Sequence, residues 1–348
     1  MFEAQIIKKE NEKVFNDIIQ NSINGTYMHN IGYAKTKSII GREIETYVYM
    51  DEGQIIGGAH YSVKRAGKGI MNVADVQGGF LFKVDPNATM VGNVVDHFLK
   101  WAKTKNIAYV RISPWMPSRI EGEESKYSDI FTCVMEDMGF DAISQERHTY
   151  WIDITKDEET ILSQMKRQTR YEVRKSLNSN LVVDVVNVPS DESFEIFWNL
   201  YSHLGKKKGF NILNKEQFKY EYTTLLNEEI GHLFLIKCDG VIVNASLSSS
   251  LNRAAYLYGA MNPDFKTMKN CSSPGQLAQW AMMMYSKSKG IETYDMGFCP
   301  GAIPYKEHPE YHIWRFKHAF GGAHVQFLPV YGKSLKKIAG KIFKALKG

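Results

Sequence analysis

Two successive runs of alternating helical and strand-like periodicity, each containing a turn-linked strand pair, constrain this chain more than any single motif does. In the first half, residues 11–20 set Val14, Phe15, Ile18 and Ile19 at helical spacing. Residues 44–50 and 54–63, joined by Asp51-Glu52-Gly53, read as a β-hairpin with a turn glycine. A helix over 91–104 follows, with Val94, Val95, Phe98 and Trp101 inward, then a strand over 108–113 that stops at Pro114. Residues 130–138 read as a helix closed by Gly139. The second half repeats the logic. Strands are expected over 149–154 and 181–188, with one helix over 158–176 between them. Helices follow over 190–204 and 215–227. A hairpin of 232–238 and 241–249 turns at Asp239-Gly240, and a strand over 254–261, a helix over 274–288 and a strand over 292–297 complete the pattern. The prediction is an α+β (mixed α/β) chain, and 348 residues suit two domains of ordinary size. No GxGxxG follows a strand and no Walker sequence occurs, which sets aside nicotinamide cofactors and nucleoside-triphosphate hydrolysis.

Composition narrows the class further. Hydrophobic residues make up 44% and charged residues 23%, ordinary globular usage that excludes a disordered or fibrous chain. Forty-three basic against 38 acidic residues leave +5, too mild to imply nucleic acid by itself. Cys133, Cys238, Cys271 and Cys299 form no CxxC pair, so neither a disulfide framework nor a zinc knuckle is indicated and a reducing cytoplasm fits. The first fifteen residues lack the apolar core of a signal peptide, and no apolar run nears the ~20 residues that span a bilayer. A soluble cytoplasmic protein is expected.

Three stretches carry candidate chemistry. Residues 294–322 run from a buried strand through a Gly/Pro-rich loop into Trp314-Arg315-Phe316-Lys317, and loops on rigid strands are where function concentrates. His308, His312, His318 and His324 fall in the same stretch, but Pro309 breaks the helical spacing a metal pair would need, so no metal is expected. No GxSxG occurs, and Cys271 and Cys299 lack a neighbouring base. On 165–176, Lys166, Arg167, Arg170, Arg174 and Lys175 face only Glu172. That basic face is either solvated or a phosphate-tracking surface. The tail 333–348 carries six lysines and no acid, with Leu335, Ile338, Ile342 and Leu346 on one helical face. It reads either as a helix packed on the first domain or as an interfacial helix on anionic lipid.

Taken together, TRYEVRKS (169–176), AAYLYGAM (254–261), YDMG (294–297) and WRFKHAFGG (314–322) resemble the Fem (FemABX) family of bacterial aminoacyl-tRNA-dependent peptidyltransferases in sequence and in spacing. The resemblance covers nearly the whole chain. It implies two tandem acetyltransferase-like (GNAT) domains, over 1–147 plus 325–348 and over 148–324. The implied reaction transfers an amino acid from aminoacyl-tRNA to an amine of a peptidoglycan precursor stem peptide or related cell-envelope acceptor, with no cofactor and no metal. By position, Lys317 matches the family's catalytic lysine and Phe316 the aromatic beside it. Lys35, Tyr109 and Tyr258 match residues that hold the nucleotide-sugar precursor in the soluble-substrate subgroup, and Tyr256, Asp295 and Ile313 complete the substrate-binding set. Lys166, Arg167, Arg170 and Arg174 become the tRNA surface. The expected partners are aminoacyl-tRNA as donor and a nucleotide-linked or lipid-linked precursor as acceptor, for a monomer that touches membrane only at its inner face.

The chain also departs from the pattern. Where the soluble-substrate subgroup carries an arginine and then a tyrosine, this chain has Leu213 or Asn214 and Gln217 or Phe218, and Ser113 or Pro114 replaces an expected acid. Residues 190–224 leave no room for the long helical arm of the glycine-adding members. A different class stays open beside this one: an acyl-CoA-dependent GNAT N-acyltransferase acting on a cell-envelope or polysaccharide precursor. Against it, 269–276 (KNCSSPGQ) lacks the glycine-rich amide cradle for a pyrophosphate, and Pro274 removes a donor. A non-catalytic wall-assembly protein is the third class.

Overall fold

The hairpin expected over 44–63 forms the second and third strands of a seven-stranded sheet in the computed structural model, which describes residues 1–8, 12–66, 71–144, 147–269 and 271–336. The chain divides into two units: Met1–His148 with the segment from Val325, and Thr149–His324. The first contains β1 (Phe2–Ile6), α1 (Glu12–Gln20), α2 (Ile31–Lys35), β2 (Glu43–Asp51), β3 (Gln54–Ala66) and β4 (Met71–Phe82). It continues through α3 (Ala88–Thr104), β5 (Tyr109–Ile112), β6 (Pro117–Ile120), β7 (Glu123–Glu124), α4 (Lys126–Asp137) and β8 (Asp141–Ala142).

Next come β9 (Arg147–Asp153), α5 (Glu158–Gln164), α6 (Arg167–Leu177), β10 (Leu181–Val186), α7 (Asp191–Lys208) and α8 (Lys215–Asn227). The second unit's centre is β11 (Gly231–Cys238), β12 (Val241–Leu251), β13 (Arg253–Met261), α9 (Pro274–Ser288), β14 (Thr293–Asp295) and α10 (Tyr311–His318). The chain then adds β15 (Ala323–Phe327) and β16 (Tyr331–Ser334), which return to the first unit.

Both units use one plan. In the first, β2, β3 and β4 run antiparallel and β4 then pairs parallel with β5, across α3. In the second, β11, β12 and β13 run antiparallel and β13 pairs parallel with β14, across α9. Antiparallel neighbours need only a turn, whereas a parallel pair needs the long crossover a helix supplies. Each crossover helix covers the sheet it crosses. Val94, Val95, Phe98 and Trp101 of α3 pack on Tyr61, Val76, Val110 and Ile112. Leu277, Trp280, Met282 and Met283 of α9 pack on Phe234, Ile236, Val243 and Ala254.

Local chemistry sets the boundaries. Asn87, Ser125, Asp157, Ser190 and Asn214 each cap a helix with a side-chain oxygen that accepts a backbone N–H. The single helix expected over 158–176 is instead two. Met165 and Lys166 are extended (ψ 147° and 145°), which buries the Met165 side chain and lets the Lys166 N–H donate to the Ala319 carbonyl at 2.9 Å. Burial of one apolar side chain and a tertiary hydrogen bond outweigh helical continuity. The strand expected over 292–297 covers only Thr293–Asp295, because Gly297 turns the chain away with φ +73°. In the tail, Lys333 and Ser334 close β16 instead of opening a helix, and residues from 337 lie outside those described. Helices α7 and α8 lie on β13 and β11. No helix among the described residues is long and apolar enough to cross a membrane.

Candidate active site

The short helix α10 carries YHIWRFKH, in which Trp314 and Lys317 are three apart and so share a face. Trp314 fixes that face inward: its indole N–H lies 2.7 Å from the Ala302 carbonyl and 3.1 Å from the Tyr150 hydroxyl. Lys317 is therefore drawn under cover, with only 7% of its surface exposed. Its Nζ donates to the Phe298 carbonyl at 2.6 Å and sits 5.5 Å above the centre of the Tyr256 ring. Burial pulls its pKa down to about 8, opposed first by the charge of Asp295. The ammonium form still dominates at neutral pH. A buried cation held by one carbonyl and an aromatic face keeps two N–H donors for something else.

Asp295 explains why the Phe298 carbonyl stands where it does. Its Oδ1 accepts the Gly297 N–H at 2.8 Å, closing a tight turn just past β14. The Thr149 hydroxyl lies 2.5 Å from the same oxygen and 2.8 Å from the Gly297 carbonyl, so one proton serves two acceptors. Oδ2 accepts the Trp151 indole N–H at 3.0 Å, and Arg253 Nε lies 3.5 Å away. Arg253 is buried over the Trp151 ring, 4.3 Å from its centre, with Nη2 unpartnered. Gly297 must be glycine here: with φ +73°, an added Cβ would lie 2.8 Å from the Tyr256 carbonyl and 3.3 Å from Lys317 Nζ.

Tyr256 and Tyr258 part company across a β-bulge at Leu247/Ser248. Tyr256 lies beneath Lys317, and its hydroxyl occupies space that Gly259 leaves by lacking a Cβ, which would be 2.2 Å away. Tyr258 packs edge-on against Tyr201 and Phe218, at 5.3 and 5.2 Å. Phe316 is half-buried against Phe320 at 5.2 Å, packed on the core beside Lys317 rather than presented with it. Ile313 is half-buried on α10, one turn before Lys317.

Of the residues expected to form one site, the second unit thus brings together Lys317, Tyr256 and Asp295. The oxygens of Asp295 accept from Thr149, Trp151 and Gly297. Thr149, Trp151 and Arg253 were not expected. Long sequence separation hides them, although a threonine and a tryptophan alternating on one face of a strand was a legible cue. Lys35 and Tyr109 belong to the first unit. Lys35 is exposed and pairs with Glu12 at 2.7 Å, and Tyr109 is buried with its hydroxyl over Gly332. Among the departures, Asn214 caps α8, while Gln217 and Phe218 are buried.

The basic face survives the break in its helix. Arg167, Arg170 and Arg174 line an open groove on α6 with Tyr171, Lys175 and Asn178, and Lys166 precedes the helix. Arg174 pairs with Glu159, and Glu172 is engaged by Gln168 and by Gln276 of α9, each at 2.8 Å. Tyr171 is 58% exposed among these cations, an aromatic plate the sequence reading did not single out. Two histidines of the stretch pack on aromatic rings: His318 stacks on Trp314 at 4.8 Å and His324 lies 5.5 Å from Tyr150. Among the described residues no three His, Cys, Asp or Glu side chains group to hold a metal.

Comparison with known proteins gives one consistent answer. The FemAB family model matches residues 11–236. A Lipid II:glycine glycyltransferase of Staphylococcus epidermidis is 30% identical over 141 residues, 40% of this chain and 33% of that protein, so the match spans a third of that relative's length. A Lipid II:glycine glycyltransferase of Staphylococcus aureus is 20% identical over 87% of this chain and 86% of its own. The crystal structure of FemX superposes with a TM-score of 0.83 at 18% identity, over 99% of this chain and all of that one. A tandem GNAT protein from the clavulanic acid biosynthesis pathway follows at 0.53 and 9% identity, over 96% of this chain and 98% of that one. The fold is that of tandem GNAT proteins and of FemX, and the chain belongs to the FemAB family.

Proposed function

We propose that the protein is an aminoacyltransferase that moves an amino acid from aminoacyl-tRNA to an amine on the stem peptide of a peptidoglycan precursor. The relatives' names favour a lipid-linked precursor as acceptor, with glycine as the first amino acid to test. The observation that carries the reading is the buried ammonium of Lys317, held by one carbonyl and an aromatic face in a chain of this family.

An aminoacyl ester is already activated, so amide formation needs no nucleotide and no metal. The acceptor amine attacks the ester carbonyl, its lost proton passes to solvent or to the departing oxygen, and the C–O bond to the ribose breaks. What the protein must supply is position and charge. Holding two reactants in register contributes ~7–11 kcal/mol, and one donor aimed at the oxyanion contributes ~2.7–4 kcal/mol. Lys317 supplies that donor: its two remaining N–H groups stabilise the oxyanion or the leaving ribose oxygen. The α6 groove, with Arg167, Arg170 and Tyr171, offers phosphate-pairing cations and a stacking plate to the tRNA.

The test is direct. The protein is incubated with total charged tRNA, one labelled amino acid at a time, and with lipid-linked or nucleotide-linked precursor. Label is expected in the precursor with a single amino acid. Transfer of label from labelled acetyl-CoA in a parallel incubation, with none from any charged tRNA, sinks the reading.

A further inference from the structure

On the central strands of the first unit's sheet, a second group of cations has no part in the chemistry above. Registers of Ser62 with Asp75 and of Asp75 with Arg111 set these three side chains on one face of β3, β4 and β5, and alternation adds Lys64. Their neighbours Tyr61, Ala74, Val110 and Ile112 point the other way, into the core beneath α3. Asp75 is buried, and two guanidiniums close on it. Arg42 Nη1 reaches Oδ2 at 2.5 Å and the Ser62 hydroxyl at 3.0 Å. Arg111 reaches Oδ1 with Nε at 2.7 Å and Nη2 at 2.6 Å.

The charges do not balance. Three cations (Arg42, Lys64 and Arg111) share one carboxylate, leaving two positive charges in excess on a half-buried face. No carboxylate among the described residues pairs with Lys64. Its ammonium is disfavoured by burial and by Arg111 and Arg42, and favoured by Asp75 alone. Arg42 Nε is buried with no partner. A network built only for stability would satisfy its donors, because each orphaned buried group costs about 1–3 kcal/mol. Arginine forks beside a lysine are the arrangement that oxyanions match, through short charge-assisted hydrogen bonds.

We propose that Arg42, Lys64 and Arg111, organised around Asp75, form an oxyanion-binding site that takes a phosphate or carboxylate group. The role of Asp75 is to hold the two guanidiniums apart from collapse and in plane while leaving the excess charge to the ligand. Only the ligand's place on the acceptor rests on the transferase reading: a precursor carries both diphosphate and peptide carboxylates, and either meets the same chemistry.

Binding is measured without any transfer reaction, so its failure and the failure of the transferase reading are separate results. Inorganic pyrophosphate and N-acetyl-D-alanyl-D-alanine are each titrated calorimetrically into the full chain at low salt. One of them binds, and Lys64→Gln or Arg111→Gln weakens it by roughly tenfold, the scale of one lost charge-assisted bond. The control Arg65→Gln, an exposed neighbour on the other face of β3, leaves the affinity as it was. In parallel, the bound anion protects Lys64 from acylation by sulfosuccinimidyl acetate, read by mass spectrometry, which needs no variant to fold. The tighter probe identifies the source as diphosphate or as carboxylate. Binding of neither probe overturns the proposal, and so does binding that both variants leave intact with Lys64 unprotected.

Discussion

Each unit places a buried aspartate in its parallel strand pair, and the two are satisfied in opposite ways. In the first unit Asp75 on β4 is held by charge, between Arg42 and Arg111. In the second unit Asp295 on β14 is held mostly by neutral donors: a hydroxyl, an indole and a backbone amide. The two carboxylates sit on opposite strands of that pair, Asp75 before the crossover helix and Asp295 after it, and they have two electrostatic outcomes. Cations gathered on Asp75 spend part of their charge on it and leave an excess spread over three side chains. Neutral donors on Asp295 leave its own charge in place, where it supports the ammonium of Lys317 against burial. One junction is suited to holding an anion, the other to keeping a single buried lysine charged.

The comparison is broken first at Lys317. Replacing it with alanine removes the buried lysine that the second junction supports, and transfer is expected to fall by roughly 10²-fold or more, as for a lost oxyanion donor. Circular dichroism should show an intact fold, since relief of a buried charge offsets the lost contact with the Phe298 carbonyl. Undiminished transfer by Lys317→Ala would remove it from the mechanism.

Asp75→Ala attacks the other junction. Arg42 and Arg111 are left facing each other half-buried, and stability should fall by ~1–3 kcal/mol, discounted for the partial exposure of both arginines. Because the loss is electrostatic repulsion, it should shrink as salt rises toward 1 M. Urea midpoints at two salt concentrations measure it. A loss independent of salt would mean that Asp75 acts by packing.

Asp295→Asn keeps the shape of the second junction, removes its charge and turns one acceptor into an amide donor facing the Trp151 indole N–H. Asp295 is foremost among the groups raising the Lys317 pKa toward its value of about 8, so the variant lowers it further. In the proposed mechanism the active form is the ammonium, present below that pKa and lost as pH rises through it. The alkaline limb of the rate should then move to lower pH, with a defect that is small at pH 6 and grows to about tenfold by pH 8. An equal defect at every pH would assign Asp295 a purely structural part.

How much of this was legible in the sequence follows from where each signal lives. Periodicity located both hairpins and the crossover helices, because an apolar stripe is local: 215–227 and 274–288 coincide with α8 and α9. The break at Met165–Lys166 was not legible, since neither residue is a helix breaker and the cause is a carbonyl at Ala319, far along the chain. Strand β4 was also missed, where Gly78 and Gly79 with φ +73° and +86° interrupt the alternation. Lys317 was legible through the run WRFK. The network beneath it was not, because Thr149 and Asp295 meet across 146 positions of sequence. The residues at Asp75 carry no run at all: Arg42, Lys64 and Arg111 are ordinary surface residues until strand register sets them side by side.

The smallest effect should come from Thr149→Val, and it separates position from charge. Valine matches threonine in volume but offers no proton, so Asp295 Oδ1 and the Gly297 carbonyl both lose their shared donor. The cost of one buried hydrogen bond is about 1 kcal/mol. The charge of Asp295 is untouched, so the alkaline limb set by Lys317 should stay near pH 8. What changes is the turn: Gly297 is held less firmly, the Phe298 carbonyl wanders, and Lys317 spends less time in register. A few-fold loss of transfer, equal across pH 6–8, is the expected result. Thr149→Ser restores the hydroxyl and should recover the rate. If Thr149→Val instead moves the limb as Asp295→Asn does, the hydroxyl acts on the carboxylate's charge, and the division between a junction of charge and a junction of neutral donors fails.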